Sequence, residues 1–399
     1  MTSSAKRLAS VRPSATMAMT ARAIQLRREG RDIVSLAVGE PDFPVFPHVA
    51  EAIVDALRNG YTKYTAPNGS AELREAISDW MQAQVGVRWP VGQVVATSGA
   101  KQALYNACQA LLDEGDEAVI PNPYWVSYPE MVRLAGAKPT ELMLQQEDGW
   151  SPRAEDWERA LSPRTRLLMF SSPSNPTGAV WSAEVLRGLS RALEKFPRVT
   201  VLSDDIYDKL TYNGVRCPNL LEVAPELQPR TVLVNGCSKA YAMTGLRLGW
   251  ACGPSEIIAG MNKVQDASTS NPSSLSQAGA VAALRGPQEP LEAMRAQFEK
   301  RRRVMVELLR QIPGVDAHEP DGAYYIFPDV SALLGRKWRG EPVATDVRFA
   351  EILLEEFGVA VVQGSAFGRP GYLRLSFATS EADIRRAMER LSSCAQALE

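Results

Sequence analysis

TVLVNGCSK, residues 231–239, is the stretch whose reading decides the fold. Its first five residues are a mostly apolar, β-branched run, too short for a helix and without polar alternation. That is the signature of a strand buried on both faces. The run ends at Asn235-Gly236, and Lys239 follows. A lysine just past a buried strand is unusual. Enclosure penalises the ammonium, lowers its pKa and leaves a neutral amine able to form a Schiff base. Further on, Arg247 is a fixed cation with the fork geometry that pairs phosphate.

Outward from this segment the same pattern recurs. Gln93–Thr97 (QVVAT), Glu117–Ile120, Arg166–Phe170 (RLLMF), Val199–Ser203 (VTVLS) and Leu248–Cys252 (LGWAC) are short apolar runs. Residues 46–60, 70–85, 101–112, 128–135 and 183–195 have apolar residues at helical spacing. Such alternation predicts a mostly parallel sheet covered by helices on both faces, an α/β fold. Right-handed crossovers then collect the residues that follow each strand along one edge, where open α/β sheets bind ligands. From about residue 255 long helices take over, including 289–311. Short strands (Tyr324–Phe327, Val359–Val362, Tyr372–Phe377) and helices at 345–357 and 380–396 complete a smaller α+β domain. The expected division is an N-terminal segment, 1–45, packing with the small domain, a large domain, 46–290, and the small domain, 291–399. The basic run Lys300–Arg303 reads as a solvated helical face.

The residues at the predicted edge are chemically suggestive. Ser98-Gly99-Ala100-Lys101 leads from a strand into a helix, where small residues and free N–H groups suit phosphate. SSPSNPTG (171–178) places Asn175 in a proline-held turn, where it also reads as a plain turn residue. Asp204 and Tyr207 follow the VTVLS strand. A carboxylate there caps the next turn or meets a cation such as a protonated pyridine nitrogen. Together the edge offers a phosphate cradle, a carboxylate, a reactive amine and a cation, the set that pyridoxal 5′-phosphate requires.

Composition narrows the classes. The 399 residues are 45% hydrophobic and 23% charged, with formal net charge −2, so no basic surface points to nucleic acid. No apolar run is long enough for a membrane span or a secretory signal, which makes a cytoplasmic location the expectation. The five cysteines form no C-x-x-C pair and read as reduced, mostly buried thiols. His48 and His318, the only histidines, read as surface residues, so no metal site is expected.

The motifs PSAT (13–16), GEPDF (39–43), TKYTAPNG (62–69), PYWVSYPEM (123–131), SNPTG (174–178), SDDIY (203–207), SKAYAMTGLRLGW (238–250) and YLRLSFATS (372–380) run along nearly the whole chain. In this combination the chain resembles the class I aminotransferases of the pyridoxal-phosphate fold type I, in their bacterial aspartate and aspartate/prephenate subgroup. The resemblance implies a seven-stranded sheet and a ping-pong transfer of an amino group from an L-amino acid, aspartate first, with glutamate, prephenate or arogenate as other substrates, to a 2-oxo acid such as 2-oxoglutarate. It implies that Lys239 carries the cofactor and moves the substrate proton, that Asp204 pairs with the ring nitrogen, and that Tyr207 and Asn175 bond its phenolic oxygen. Trp125 would stack on the ring, with Gly99, Ala100, Lys101, Ser238 and Arg247 around the phosphate. Arg374, Asn175, Trp125 and Gly39 would hold the substrate α-carboxylate end. Arg12, Ser14, Thr16 and Lys101 are candidates for a side-chain carboxylate. Tyr64 would reach the phosphate of a neighbouring subunit, making the active unit a homodimer. Gly236 departs from relatives with a phosphate-binding serine there, and no side-chain-binding arginine motif appears around STSNPSSLS (268–276).

Other readings stand beside this one. A β-lyase, or an aminotransferase for neutral or aromatic amino acids, would share the motifs around the cofactor. An effector-binding domain of a transcription regulator would carry a preceding helix-turn-helix, for which the motifs starting at residue 13 leave no room. A nicotinamide dehydrogenase would need a glycine fingerprint that is absent.

Overall fold

The computed structural model describes residues 5–399. Its centre is a seven-stranded sheet: β1 (Val94–Thr97), β2 (Glu117–Asn122), β3 (Lys138–Met143), β4 (Thr165–Ser171), β5 (Thr200–Asp204), β6 (Thr231–Gly236) and β7 (Gly249–Cys252). The spatial order is β1-β7-β6-β5-β4-β2-β3. All neighbours are parallel except β7, which runs antiparallel between β1 and β6. The reversal has a local cause. Residues 237–248 hold only a four-residue helix and a turn, too little for the crossover that a parallel neighbour needs.

The apolar runs are strands because both faces are covered; every residue of β1, β2, β5, β6 and β7 is buried. β3 was not anticipated. It is the sheet edge, and Leu142 is its one buried residue, so KPTELM lacks the apolar run that marks its neighbours. Helix Ala154–Ala160, also unanticipated, is short and buries only Trp157.

The C-terminal part holds a three-stranded antiparallel sheet of Val362–Gln363, Leu373–Ser376 and Tyr325–Ile326. Val34–Ser35, near the N-terminus, pairs in parallel with Val359–Ala360. Residues 321–323 are sewn to the large sheet's loops. Asp321 O accepts from Tyr212 N (2.9 Å), Gly322 N donates to Gly178 O (2.8 Å) and Ala323 N donates to Leu210 O (2.9 Å). Tyr212 Oη also donates to Ala323 O. This seam delivers Tyr324 and Tyr325 to the ligand edge of the sheet.

Two readings need correction. The run Lys300–Arg303 is not a uniformly solvated face. In helix Glu289–Leu309, Arg302 shares the buried stripe of Phe298, Met305 and Leu309 and is 0% exposed. Its Nη1 donates to Pro320 O (2.6 Å), its Nη2 reaches Asn213 Oδ1 (2.8 Å) and Glu319 Oε1 (3.1 Å), and its guanidinium lies 5.0 Å from the Tyr212 ring centre. Lys300 and Arg303 are exposed as expected. His48 is half-buried rather than on the surface, its Nε2 enclosed without a partner, while His318 is exposed. The five cysteines are unpaired and four are buried.

Removing Arg302 would leave a void in the core and the buried Pro320 oxygen without this donor. Arg302→Ala is expected to lower unfolding stability by about 3 kcal/mol. Lys300→Ala, two residues away on the exposed face of the same helix, should stay within about 0.5 kcal/mol. Urea-unfolding midpoints of the two variants check the contrast.

Candidate active site

The ends of β1, β2, β4, β5 and β6 and the seam around Tyr325 enclose a cavity of about 280 Å³. Lys239 enters it from the four-residue helix Cys237–Ala240, which starts where β6 stops. Its Nζ donates to Gly39 O (2.6 Å). Burial, then the positive charge of Arg374, pull this amine down to about 8. At pH 7 roughly a tenth of it is then the uncharged nucleophile, far more than for an ordinary lysine.

Asp204, the last residue of β5, is buried. Tyr128 Oη donates to its Oδ2 (2.6 Å) and Ile206 N to its Oδ1 (3.4 Å). Both donors are neutral, and burial outweighs them, pushing the carboxyl up to about 6. A cation placed against it would recover part of that cost. Tyr207 Oη lies 2.9 Å from Tyr325 Oη, and burial holds the Tyr207 phenol well above its ordinary range.

Arg374 sits on the strand Leu373–Ser376 and is 2% exposed. Nη1 donates to Asn175 Oδ1 (3.2 Å) and Nη2 to Ala37 O (2.6 Å), while Nε is enclosed without a partner. Its guanidinium centre is 4.5 Å from the Tyr325 ring and 5.0 Å from that of Phe367. A fork-shaped cation fixed so firmly suits a planar carboxylate.

At the opposite end Gly99 (φ 88°) begins helix Ala100–Leu111 with no side-chain cap. Only glycine fits there, since a Cβ would overlap the Arg247 guanidinium as well as strain the backbone. Arg247 is held by its Nη1 donating to Thr244 O (2.7 Å). Uncapped amides facing a guanidinium make a cradle for a phosphate. Gly236 pairs across the sheet with Gly249, and a Cβ on it would stand 2.9 Å from Gly249 Cα and from Leu248 O. A serine has no room there, which accounts for the departure seen in the sequence. Lys101 is exposed as a residue, yet its amine lies 5.2 Å from the Trp125 ring centre. Burial of that amine, then the Arg247 charge, holds it below the ordinary lysine range.

Of the residues expected at the site, Gly39, Ala100, Lys101, Trp125, Asn175, Asp204, Tyr207, Ser238, Lys239, Arg247 and Arg374 line this one cavity, with Ser14 and Thr16 from the N-terminal segment. Gly99 stands behind Arg247. Arg12 does not line it. It is exposed, its backbone N donates to Glu130 Oε2 (2.9 Å), and it borders an adjoining hollow of about 840 Å³ shared with Ser14, Lys101 and Arg247. Tyr64 is 92% exposed and outside both. Sequence reasoning passed over Tyr128 and Tyr325. Each is a tyrosine in an otherwise apolar setting, whose buried hydroxyl must find a partner, and that was the available signal.

The family model for aminotransferase class I and II matches residues 31–391. The aspartate aminotransferase of Rhizobium meliloti strain 1021 is 43% identical over 395 residues, covering 99% of this chain and 96% of that protein. An aspartate/prephenate aminotransferase of Cereibacter sphaeroides is 43% identical over 387 residues, 97% of each. The solved Rhizobium meliloti enzyme superposes with a TM-score of 0.96 at 42% identity, covering 100% of both chains. The Thermus thermophilus aspartate aminotransferase with maleate gives 0.92 at 41%, covering 99% of this chain and 100% of that one.

The position of Asp204 has a pH signature. Folding raises its pKa from 3.8 to about 6, so it favours the protonated form. Its relative contribution is fully present below the unfolded value and is lost as pH rises through the folded one, about 3 kcal/mol in all. In the cofactor-free protein, Asp204→Asn should therefore raise the melting temperature near pH 7.5 and lose that advantage below about pH 4. Thermal melts of wild type and variant across this range are the check.

Proposed function

The chain belongs to the class I and II aminotransferases, a pyridoxal-phosphate-dependent family, and on that premise we propose that it holds pyridoxal 5′-phosphate at Lys239 and moves the amino group of aspartate to a 2-oxo acid such as 2-oxoglutarate. One observation carries the reading. Burial drives the Lys239 amine down and the Asp204 carboxyl up within a single cavity that also holds the buried Arg374.

The residues fit the cofactor by their chemistry. The uncapped helix start at Gly99–Lys101, with Ser238 and Arg247, would take the phosphate. Asp204, buried with two neutral donors, would keep a proton on the ring nitrogen. Tyr207 Oη and the Asn175 amide would donate to the phenolic oxygen, and Trp125 would cover one ring face. When bound, pyridoxal phosphate supplies the electron sink for the pair left behind when a substrate Cα loses its proton.

The protein's own groups do the rest. Arg374 receives the α-carboxylate bidentately, with Asn175 and Gly39 beside it, and so orients the Cα–H bond. With the cofactor bound, the Lys239 amine would be the base that takes the substrate Cα proton and the acid that returns it. Burial, by lowering the pKa of this amine, enlarges the uncharged fraction able to accept that proton. Donor and acceptor share one Arg374, so the first oxo acid leaves before the second binds and ping-pong kinetics follow.

Lys101 and Thr16 line the cavity and Arg12 borders the hollow next to it, which supports a second carboxylate on the substrate. That favours aspartate, glutamate or prephenate over the neutral thioethers of a β-lyase. Maleate, the ligand named for the Thermus thermophilus relative, has the same two charges. Exposed Val54, Leu57, Tyr61 and Tyr64 lie close together in sequence and support a homodimer in which Tyr64 serves the neighbouring site. No helix among the described residues is long and apolar enough to cross a membrane, and a cytoplasmic location is part of the proposal.

Borohydride reduction of the loaded enzyme should fix the cofactor on the peptide containing Lys239, and Lys239→Ala should lower turnover by at least about 10²–10⁴-fold. Label on any other lysine overturns the assignment. For substrate choice, Lys101→Ala is expected to weaken kcat/KM for aspartate by about 10–100-fold while leaving alanine nearly unchanged. Equal losses on both substrates would remove Lys101 from the side-chain site.

A further inference from the structure

We propose that Tyr325 is a positioning residue with two separable duties: its hydroxyl sets the direction of the Tyr207 proton, and its ring face holds the Arg374 guanidinium in place for the carboxylate. The inference rests on the reading above that Tyr207 faces the cofactor's phenolic oxygen.

The hydroxyl duty follows from counting protons. Tyr207 Oη and Tyr325 Oη are 2.9 Å apart, and either could donate. Each has one proton. If Tyr207 spends its proton on the ring oxygen, the hydrogen bond between the tyrosines must run from Tyr325 to Tyr207. Donation into Tyr207 polarises its O–H and strengthens what it gives onward. A phenylalanine at 325 would leave Tyr207 free to turn and its outward bond weaker.

The ring duty follows from stacking. The Arg374 guanidinium lies 4.5 Å from the Tyr325 ring centre, close to the face of a π system. Its in-plane bonds to Asn175 and Ala37 fix its rotation, and the ring supports its plane. Position 325 is itself fixed from outside the cavity. Tyr325 pairs with Ser376 in the small sheet, and the seam at residues 321–323 anchors the preceding turn. The ring also meets Tyr207 edge-on at 5.9 Å and packs tilted against Tyr324 at 4.8 Å between centroids.

The test uses wild type, Y325F, Y325L and Y207F, each loaded with pyridoxal phosphate. The first readout is the pH at which visible absorbance changes as the nitrogen of Lys239 loses its proton to solvent. The charged groups facing that nitrogen are Arg374, Glu40, Arg247 and Asp204, and Y325F leaves all four in place. Weaker donation to the phenolic oxygen makes that oxygen hold the shared proton more tightly, so Y325F should move the transition upward by roughly half a pH unit. In a Y207F background, adding Y325F should produce no further shift. The second readout is the dissociation constant of maleate. Y325F should keep it within about twofold, whereas Y325L, which lacks the ring, should weaken it roughly tenfold. Melting temperatures identify any variant that has lost its fold, and Y325M replaces Y325L in that case. A Y325F transition that coincides with wild type, an undiminished shift in the Y207F background, or tight maleate binding without the ring would each overturn the inference. A wild type with no pH-dependent absorbance would instead overturn the cofactor assignment beneath it.

Discussion

Exclusion of water from the end of the sheet governs the behaviour of this site. It acts on Lys239 and Asp204 in opposite senses, because both charged forms lose hydration. Neither group is neutralised by a partner of opposite charge built for that purpose. Lys239 bonds a backbone carbonyl, and Asp204 a tyrosine and an amide. The fold therefore carries an amine ready to react and a carboxyl in need of a cation. Pyridoxal phosphate offers an aldehyde to the first and a ring nitrogen to the second. A ligand that answers both is stabilised by the folding energy the protein spends to keep them dry.

Much of this was legible in the sequence. Six of the seven strands appear as apolar runs because both their faces are covered, and the residues at or after the ends of five of them are the ones that meet in the cavity. The edge strand β3 was not legible, since one exposed side removes the hydrophobic signal. The antiparallel sense of β7 was also hidden. It depends on how short a connection is, not on the residues of the strand itself. The motifs of the resemblance reached further than local pattern could, bringing in Trp125, Arg374 and the N-terminal segment from distant parts of the chain. What they left out were the supports. Tyr128 and Tyr325 act on Asp204 and Tyr207 from behind, and a pairing of that kind depends on three-dimensional proximity that no spacing records. The burial of Arg302 was obscured for a different reason. Three charged neighbours mask the helical period that assigns it to the core with Phe298 and Met305.

The seam at residues 321–323 connects the two ends of the site to different bodies of the fold. The proposed phosphate end belongs to the large sheet, and the proposed carboxylate end to the small one. Tyr324 reaches across, its Oη donating to the same Gly39 oxygen that accepts from Lys239 (2.9 Å). In the proposed function a substrate that bonds both Arg374 and the cofactor would span these bodies, so its length would be measured against the seam.

The glycines under the phosphate end give this arrangement an asymmetry. Gly236 lies on Gly249, and a side chain on Gly249 would run into the backbone of Gly99 and Ala100, so three chain segments are in main-chain contact with nothing between them. That stack behaves like the fixed jaw of a vice. Its position follows from peptide geometry alone, and no exchange of side chains elsewhere can adjust it by a fraction of an ångström. The jaw bearing Arg374 is mounted on aromatic faces and rotatable hydroxyls, which neighbours can reshape. New substrate preferences in such a molecule can arise by resetting the second jaw, while the first keeps its hold on the cofactor.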